Sequence, residues 1–270
     1  MAFITSNLSP RIGTRIETDH ATLLSGEKSA GIRELLELRG VLIFPVINFT
    51  DEEQMQFSRT LGALVDQGEK GLYKVTLDAK ITPTAEYLRG TVLWHFDGFS
   101  DDVPARASIL TARKTSPIGG QTEFANTYAA YDDLPEERKQ ALSKLRVVHT
   151  MAATQRDVFH NAPAEMQQRW ASFPPKVQPL VWTHRSGRKS LLLGSSADWI
   201  EGMDKAEGRA LLDELLAWTT QPKFVYRHEW QVGDMVIWDN CGTMHRVEAY
   251  PSDSGRMMHR TTLVGEEPIA

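Results

Sequence analysis

The stretch Leu93-Trp94-His95-Phe96-Asp97-Gly98-Phe99 decides how this chain is read. It sets a histidine and a carboxylate two positions apart among apolar and aromatic residues. On a β-strand the side chains at i and i+2 leave the same face. His95 and Asp97 then point at one object, while Phe96 turns the other way. An imidazole nitrogen and a carboxylate oxygen are two of the three ligands in a facial triad for non-haem Fe(II). Taken alone, the pair also reads as a hydrogen-bonded structural couple. The rest of the chain must supply a second histidine and a fold that brings it near.

Outward from that stretch, short apolar runs bounded by turn residues recur along the chain. Residues 41–44, 107–112, 121–124, 147–149, 224–230, 235–238 and 257–264 read as strands. Residues 180–184 and 189–193, on either side of Arg185-Ser186-Gly187-Arg188, read as a hairpin. Helices are expected over 31–39, stopped by Gly40, and from a capping box at Thr50-Asp51-Glu52-Glu53 to Leu61. Two more are expected over 132–145, with Pro135 in the first turn, and over 205–220. Residues 66–90 read as a long loop or lid with one short strand near 73–77. Residues 154–176 read as a loop with a short helix around 164–170.

No Gly-rich strand-to-helix turn of the dinucleotide or P-loop kind occurs, and no Gly-x-Ser-x-Gly elbow. The pattern predicts a mainly β protein with flanking helices: a double-stranded β-helix, or cupin-like jelly roll, with functional loops at one mouth. It is expected to form one domain over 1–270, with the insertion at about 66–90.

Composition narrows the function classes. At 270 residues, 41% hydrophobic and 24% charged, the chain can bury a large core. A net charge of −5 without a basic block argues against general nucleic-acid binding. The single cysteine, Cys241, excludes an intrachain disulfide and fits a reducing cytoplasm. No signal peptide and no spanning apolar run are visible, so no membrane partner is expected.

Eight histidines are available: His20, His95, His149, His160, His184, His228, His245 and His259. His245 is the best third ligand. It follows the buried run Val236-Ile237-Trp238 and the turn Asp239-Asn240-Cys241-Gly242, which would place it at a strand end facing the mouth. His259 alternates with Arg256 and Arg260 and so faces away from them.

His95-x-Asp97, then Gly119-Gly120-Gln121-Thr122, then Val236-Ile237-Trp238-Asp239-Asn240 with Met244-His245-Arg246, and lastly Arg256-Met257-Met258-His259-Arg260-Thr261-Thr262 form an ordered set. With the hairpin around Ser186-Gly187-Arg188-Lys189, the set resembles the taurine dioxygenase and 2,4-dichlorophenoxyacetate dioxygenase family over residues 30–265. The resemblance implies an Fe(II)- and 2-oxoglutarate-dependent dioxygenase that uses O2, releases succinate and CO2, and hydroxylates a small organic anion. It implies that His95, Asp97 and His245 hold the iron and carry the chemistry. It implies that Thr122 and Arg256 hold the distal carboxylate of 2-oxoglutarate, a task that suits a guanidinium fork and a hydroxyl. Arg260, on the same strand face as Arg256, is expected to meet a carboxylate or sulfonate of the primary substrate. Relatives of this kind form dimers or tetramers, so a homo-oligomer is expected.

One departure stands out. Where many family members carry small hydroxyl residues around the aspartate, this chain has Phe96 and Gly98-Phe99. Phe99, Trp94 and the 66–90 loop would then shape an apolar pocket suited to an aryloxy or other larger acid rather than taurine. Two other classes stay open at this point: a jelly-roll metalloprotein without 2-oxoglutarate, such as another oxygenase or a hydrolase, and a non-catalytic binding protein.

Overall fold

The computed structural model describes residues 3–270. In chain order its strands are β1 (Ile4–Asn7), β2 (Thr14–Glu17), β3 (Val41–Phe44), β4 (Tyr73–Val75), β5 (Ala107–Lys114), β6 (Thr122–Asn126), β7 (Arg146–His149), β8 (Lys176–Pro179), β9 (Val181–Thr183), β10 (Lys189–Leu191), β11 (Ala197–Ile200), β12 (Val225–His228), β13 (Met235–Asp239), β14 (Thr243–Val247) and β15 (Met257–Leu263). The large sheet runs β1-β2-β3-β13-β5-β15-β4, and a smaller sheet runs β12-β6-β14. Pairing is antiparallel except between β2 and β3.

Strand β13 shows why its sequence is apolar throughout. Val236 and Trp238 face the space between the two sheets, where they join Ile43, Leu110 and Met258 from the large sheet and Phe124 from the small one. Met235 and Ile237 face outward, under Ile32, Leu36, Phe57 and Leu61 of two helices. A strand covered on both faces has no polar side to present, so alternation disappears. Each fully buried aliphatic or aromatic side chain contributes about 1.5–3 kcal/mol.

The helices Ser29–Arg39 and Asp51–Leu61 buttress the large sheet, as expected. Thr50 and Glu53 form the reciprocal capping box that their spacing predicts. From this second helix Gln54 Nε2 donates to His259 O at 3.0 Å, and Ser58 Oγ lies 2.7 Å from Thr261 Oγ1. The outer face of β15 is thereby pinned. The helix Lys205–Thr219 packs against β11 and the helix Thr127–Asp132, and its Leu212 and Leu215 belong to the same buried cluster as Ala125 and Met244 of the small sheet.

Three expectations are corrected. The predicted helix over 132–145 is two helices, Thr127–Asp132 and Glu136–Leu142. Pro135 has extended backbone at the N-cap of the second, so it separates them instead of sitting in a first turn. Residues 154–176 begin inside a further helix, Met151–Arg156, capped by Thr150. The 66–90 segment is no free loop. Its strand β4 pairs with β15, and residues 85–92 wind into two short helices.

Candidate active site

His95 and His245, far apart in sequence, are joined through their backbones. His95 N–H donates to His245 O at 3.0 Å, and His245 N–H returns the bond to His95 O at 3.0 Å. Directly opposed residues of an antiparallel pair send their side chains to the same face, and the two imidazoles lie 4.1 Å apart between centroids. This bridge is isolated, so the strand expected over 93–99 does not form. A 3-10 turn, Arg89–Val92, delivers the chain to His95, and Gly98 at φ 84 turns it away after Asp97. The alternation still holds locally: Phe96 is buried on the opposite side with Trp182, Leu192 and Cys241.

The three side chains converge without hydrogen bonding to one another. His95 Nε2 lies 3.9 Å from Asp97 Oδ1, and His245 Nε2 lies 3.8 Å from Asp97 Oδ2. Those distances are too long for hydrogen bonds, which removes the structural-couple reading. All three potential ligand atoms lie within 4.8 Å of one another, and no other such group occurs among the described residues. His95 Nδ1 lies 2.8 Å from Leu93 O. That nitrogen donates to the carbonyl, leaving the Nε2 lone pair free. Burial, helped by the neighbouring His95, pushes the His245 pKa down to about 3. Burial opposes the Asp97 charge, but His245, Arg260 and His95 together hold its pKa below the usual carboxylate range. A neutral His245 beside an ionised Asp97 suits a divalent cation. The donor set fits iron.

Beside the triad is a cavity of about 250 Å³ whose lining includes Thr122, Arg256 and Arg260. Arg256 is 4% exposed. Its guanidinium lies 4.9 Å from the centre of the Tyr250 ring. Burial pulls its pKa below the ordinary arginine value, with Tyr250 opposing, and no carboxylate among the described residues neutralises it. Thr122 Oγ1 accepts from Trp230 Nε1 at 2.9 Å, so its own hydroxyl proton is left for another acceptor. Arg260 lies against the ligand set, 3.7 Å from Asp97 Oδ2 and with its guanidinium over the Tyr73 ring at 5.4 Å. Its buried Nε has no partner.

The Gly119-Gly120 pair shapes this wall. Both residues have positive φ, at 68 and 83. A Cβ on Gly119 would lie 2.0 Å from Ala249 O, and one on Gly120 would lie 3.0 Å from Arg256 Cδ and Nε. Only glycine satisfies both the left-handed backbone and the close approach.

Arg256 and Arg260 are four residues apart at the start of β15, a spacing that sends both side chains to the cavity side of the extended chain. The register of β15 with β5 skips a residue between Met257 and Met258. The skipped Arg113 turns outward to Asp51 at 2.7 Å. Such a bulge re-aims the strand without losing the pairing beyond it. His259 faces the other way and lies 2.7 Å from Asp51 Oδ1.

Of the aromatic residues, Phe99 lines a smaller hollow of about 180 Å³ that shares Thr91, His95 and Asp97 with the main cavity. Trp94 requires correction. Next to His95 in the chain, it turns away from the ligands into the core beneath Leu191 and Met244, and the Arg246 guanidinium lies over its ring at 4.8 Å. Trp230, Tyr250 and Tyr73 were not anticipated. Trp230 belongs to an alternating run that reads as ordinary core, and nothing local ties it to Thr122. A wider cleft of about 720 Å³ lies behind Trp94, but its charges are largely paired, as Arg156 is with Asp198 and Arg209 with Asp213.

Comparison with known proteins agrees with this geometry. A model of the taurine catabolism dioxygenase TauD, TfdA family, matches residues 5–262. An alpha-ketoglutarate-dependent 2,4-dichlorophenoxyacetate dioxygenase of Burkholderia sp. is 37% identical over 92% of this chain and 91% of its own. Its counterpart from Cupriavidus pinatubonensis is 35% identical over the whole of both chains. The crystal structure of AAD-2 in complex with Mn(II) and N-oxalylglycine superposes with a TM-score of 0.85 at 35% identity, covering both chains fully. The jelly roll, the converging His-Asp-His set and these relatives lead to one conclusion: the chain belongs to the TauD/TfdA family and is a 2-oxoglutarate-dependent non-haem iron dioxygenase.

Proposed function

We propose that this dioxygenase hydroxylates a small anionic aromatic acid of the aryloxy type, with Arg260 holding the acid group. The observation that carries the proposal is a pair of arginines lining one cavity with the triad, Arg256 buried without a counter-charge and Arg260 3.7 Å from Asp97 Oδ2. Relatives named for 2,4-dichlorophenoxyacetate and (S)-phenoxypropionate support an aryloxy acid. One named for sulfate esters makes an organic sulfate or sulfonate the second class to test.

In this reading His95, Asp97 and His245 would hold Fe(II). The bound metal, with 2-oxoglutarate and O2, would supply the oxidising chemistry, with succinate and CO2 as co-products. Arg256 and Thr122 bind the distal carboxylate of 2-oxoglutarate. The guanidinium offers parallel N–H donors, and the Thr122 hydroxyl, oriented by Trp230, donates a further bond. The apolar walls Leu88, Val75 and Leu110 exclude water around the reacting C–H bond. Arg260, 3.7 Å from Asp97 Oδ2, would offer its guanidinium to the substrate anion. Residues 1–270 act as one catalytic unit in this proposal, since the ligands come from residues 95–97 and from residue 245. Among the described residues no helix is long and apolar enough to cross a membrane, and a reducing cytoplasm suits the lone buried Cys241.

The test is a panel of aryloxy acids, sulfonates and sulfate esters, read as succinate formed per 2-oxoglutarate consumed. Stimulation by aryloxy acids, lost in Arg260→Gln, is the expected result. Stimulation by none of the anions, or by neutral aryl ethers equally well, overturns it.

A further inference from the structure

Two arginines are buried among the described residues, and they are held in different ways. Arg39, 8% exposed, uses its guanidinium on oxygen: it donates to Thr14 Oγ1 at 3.2 Å, Pro10 O at 3.0 Å and Gly13 O at 3.1 Å. Arg256, 4% exposed, has a π system as its neighbour, with the guanidinium carbon over the Tyr250 ring at 4.9 Å from its centre. The face of an aromatic ring is electronegative, so it attracts a guanidinium, and more strongly where water is excluded.

The chain fixes both partners of this contact. Gly120 N–H donates to Glu248 O at 3.0 Å, and Glu248 N–H donates to Gln121 O at 2.8 Å. The segment that carries Tyr250 is thereby tied to the glycine wall of the cavity. The same wall touches the stem of Arg256, since a Cβ on Gly120 would lie 3.0 Å from its Cδ and Nε. Stem and head of the arginine are set by one backbone unit, residues 119–121 with 248–250. Tyr250, Arg256 and Thr122 all line the cavity that includes the triad.

The kind of neighbour matters for an anchor. An arginine paired with a carboxylate of its own chain must give up that pair before it can take a carboxylate ligand. An arginine with no neighbour loses side-chain freedom when the ligand binds. An aromatic face avoids both costs, because it restrains the guanidinium and presents no carboxylate to displace.

We propose that Tyr250 is a positioning residue of this dioxygenase: its ring holds the Arg256 guanidinium in place to receive the distal carboxylate of 2-oxoglutarate. This rests on Arg256 being that anchor and adds the residue that sets its aim. The mark of such a role is selective. Tyr250 acts on the affinity for a 2-oxo acid with a second carboxylate and leaves the affinity for one without it unchanged.

The probes are 2-oxoglutarate and 2-oxopentanoate, which has the same chain length but no distal carboxylate. Each is titrated into anaerobic Fe(II)-loaded wild type, Tyr250→Phe, Tyr250→Leu and Arg256→Met, with binding read from the visible charge-transfer band of the chelated 2-oxo acid. Tyr250→Leu is expected to weaken 2-oxoglutarate roughly tenfold, the cost of ordering one unrestrained guanidinium side chain, and to leave 2-oxopentanoate unchanged. Tyr250→Phe keeps the ring face and is expected to stay within about twofold of wild type for both. If the leucine variant does not fold, pentafluorophenylalanine at position 250 keeps the ring's shape and removes its negative face, and the same loss of roughly tenfold is expected. A loss below about threefold in the folded variant, an equal loss in Tyr250→Phe, or a parallel loss for both 2-oxo acids overturns the Tyr250 inference and leaves Arg256 as the anchor. Unchanged 2-oxoglutarate binding in Arg256→Met overturns both.

Discussion

Replacing Arg256 by methionine separates function from stability in opposite directions. In the ligand-free protein the guanidinium is buried and carries an uncompensated charge. Methionine keeps much of the volume and removes the charge, so the melting temperature is expected not to fall. It should rise by about 2–4 °C for each kcal/mol of desolvation relieved. Co-substrate binding moves the other way. Removing one partner of a buried ion pair strands the other, at a cost of about 3–5 kcal/mol. At about 1.4 kcal/mol per tenfold, 2-oxoglutarate should bind roughly 10²- to 10³-fold more weakly. The assay is calorimetric titration of 2-oxoglutarate into anaerobic metal-loaded protein, paired with a thermal melt of the ligand-free form. Thr122→Val should act in the same sense but more weakly, by about tenfold, because one hydrogen bond to a charged group is lost. If Arg256→Met retains 2-oxoglutarate affinity within about threefold of wild type, the anchor is elsewhere and the reasoning fails.

Three further outcomes follow from the geometry. Gly120→Ala forces a side chain into a left-handed position at φ 83 and against Arg256, so it should cost about 1–3 kcal/mol of stability and weaken 2-oxoglutarate binding while leaving metal affinity intact; urea melts and the two titrations read these separately. Arg260→Gln should raise the KM for an anionic substrate by roughly tenfold or more without moving the 2-oxoglutarate dissociation constant, which steady-state kinetics checks. His149 is 1% exposed, and burial lowers its pKa from 6.5 to about 4. Between those values the unfolded chain takes up a proton that the native state refuses, so stability present above about pH 6.5 falls as pH drops through the window, by roughly 3 kcal/mol. His149→Gln should flatten that part of the stability curve; denaturant melts at several pH values that show an unchanged slope would contradict it.

Much of this site is legible in the chain, and the rest is missing for definable reasons. The capping box at Thr50, the apolar run of β13 and the Gly-Gly pair announce themselves because each depends on local chemistry. His95, Asp97 and His245 emerge from an ordered set of motifs that no single spacing could establish. The strand expected around His95 and Asp97 does not form, because one backbone bridge, with no ladder on either side, suffices to hold His95 against His245 of β14. Trp94 was misplaced because being next to a ligand in sequence puts a side chain on the opposite face. Trp230 and Tyr250 reach the site from separate loops and through side chains alone, leaving no periodic trace.

The paired backbone bonds between His95 and His245 have a bearing on how the enzyme is assembled. The metal centre is a contact between chain segments separated by more than half the sequence, so closing it means bearing the loop entropy of nearly the whole jelly roll. It therefore forms only once the small sheet is in place. A ribosome-bound or truncated chain ending before residue 243 would already contain the His-x-Asp pair but could not grip iron. Metal affinity is then a direct reporter of complete folding: an ion that binds the native state alone adds about 2.7 kcal/mol to stability at a hundredfold excess over its dissociation constant, and adds nothing to any partly folded species. Chain topology withholds the complete three-ligand set until residue 245 is paired with residue 95.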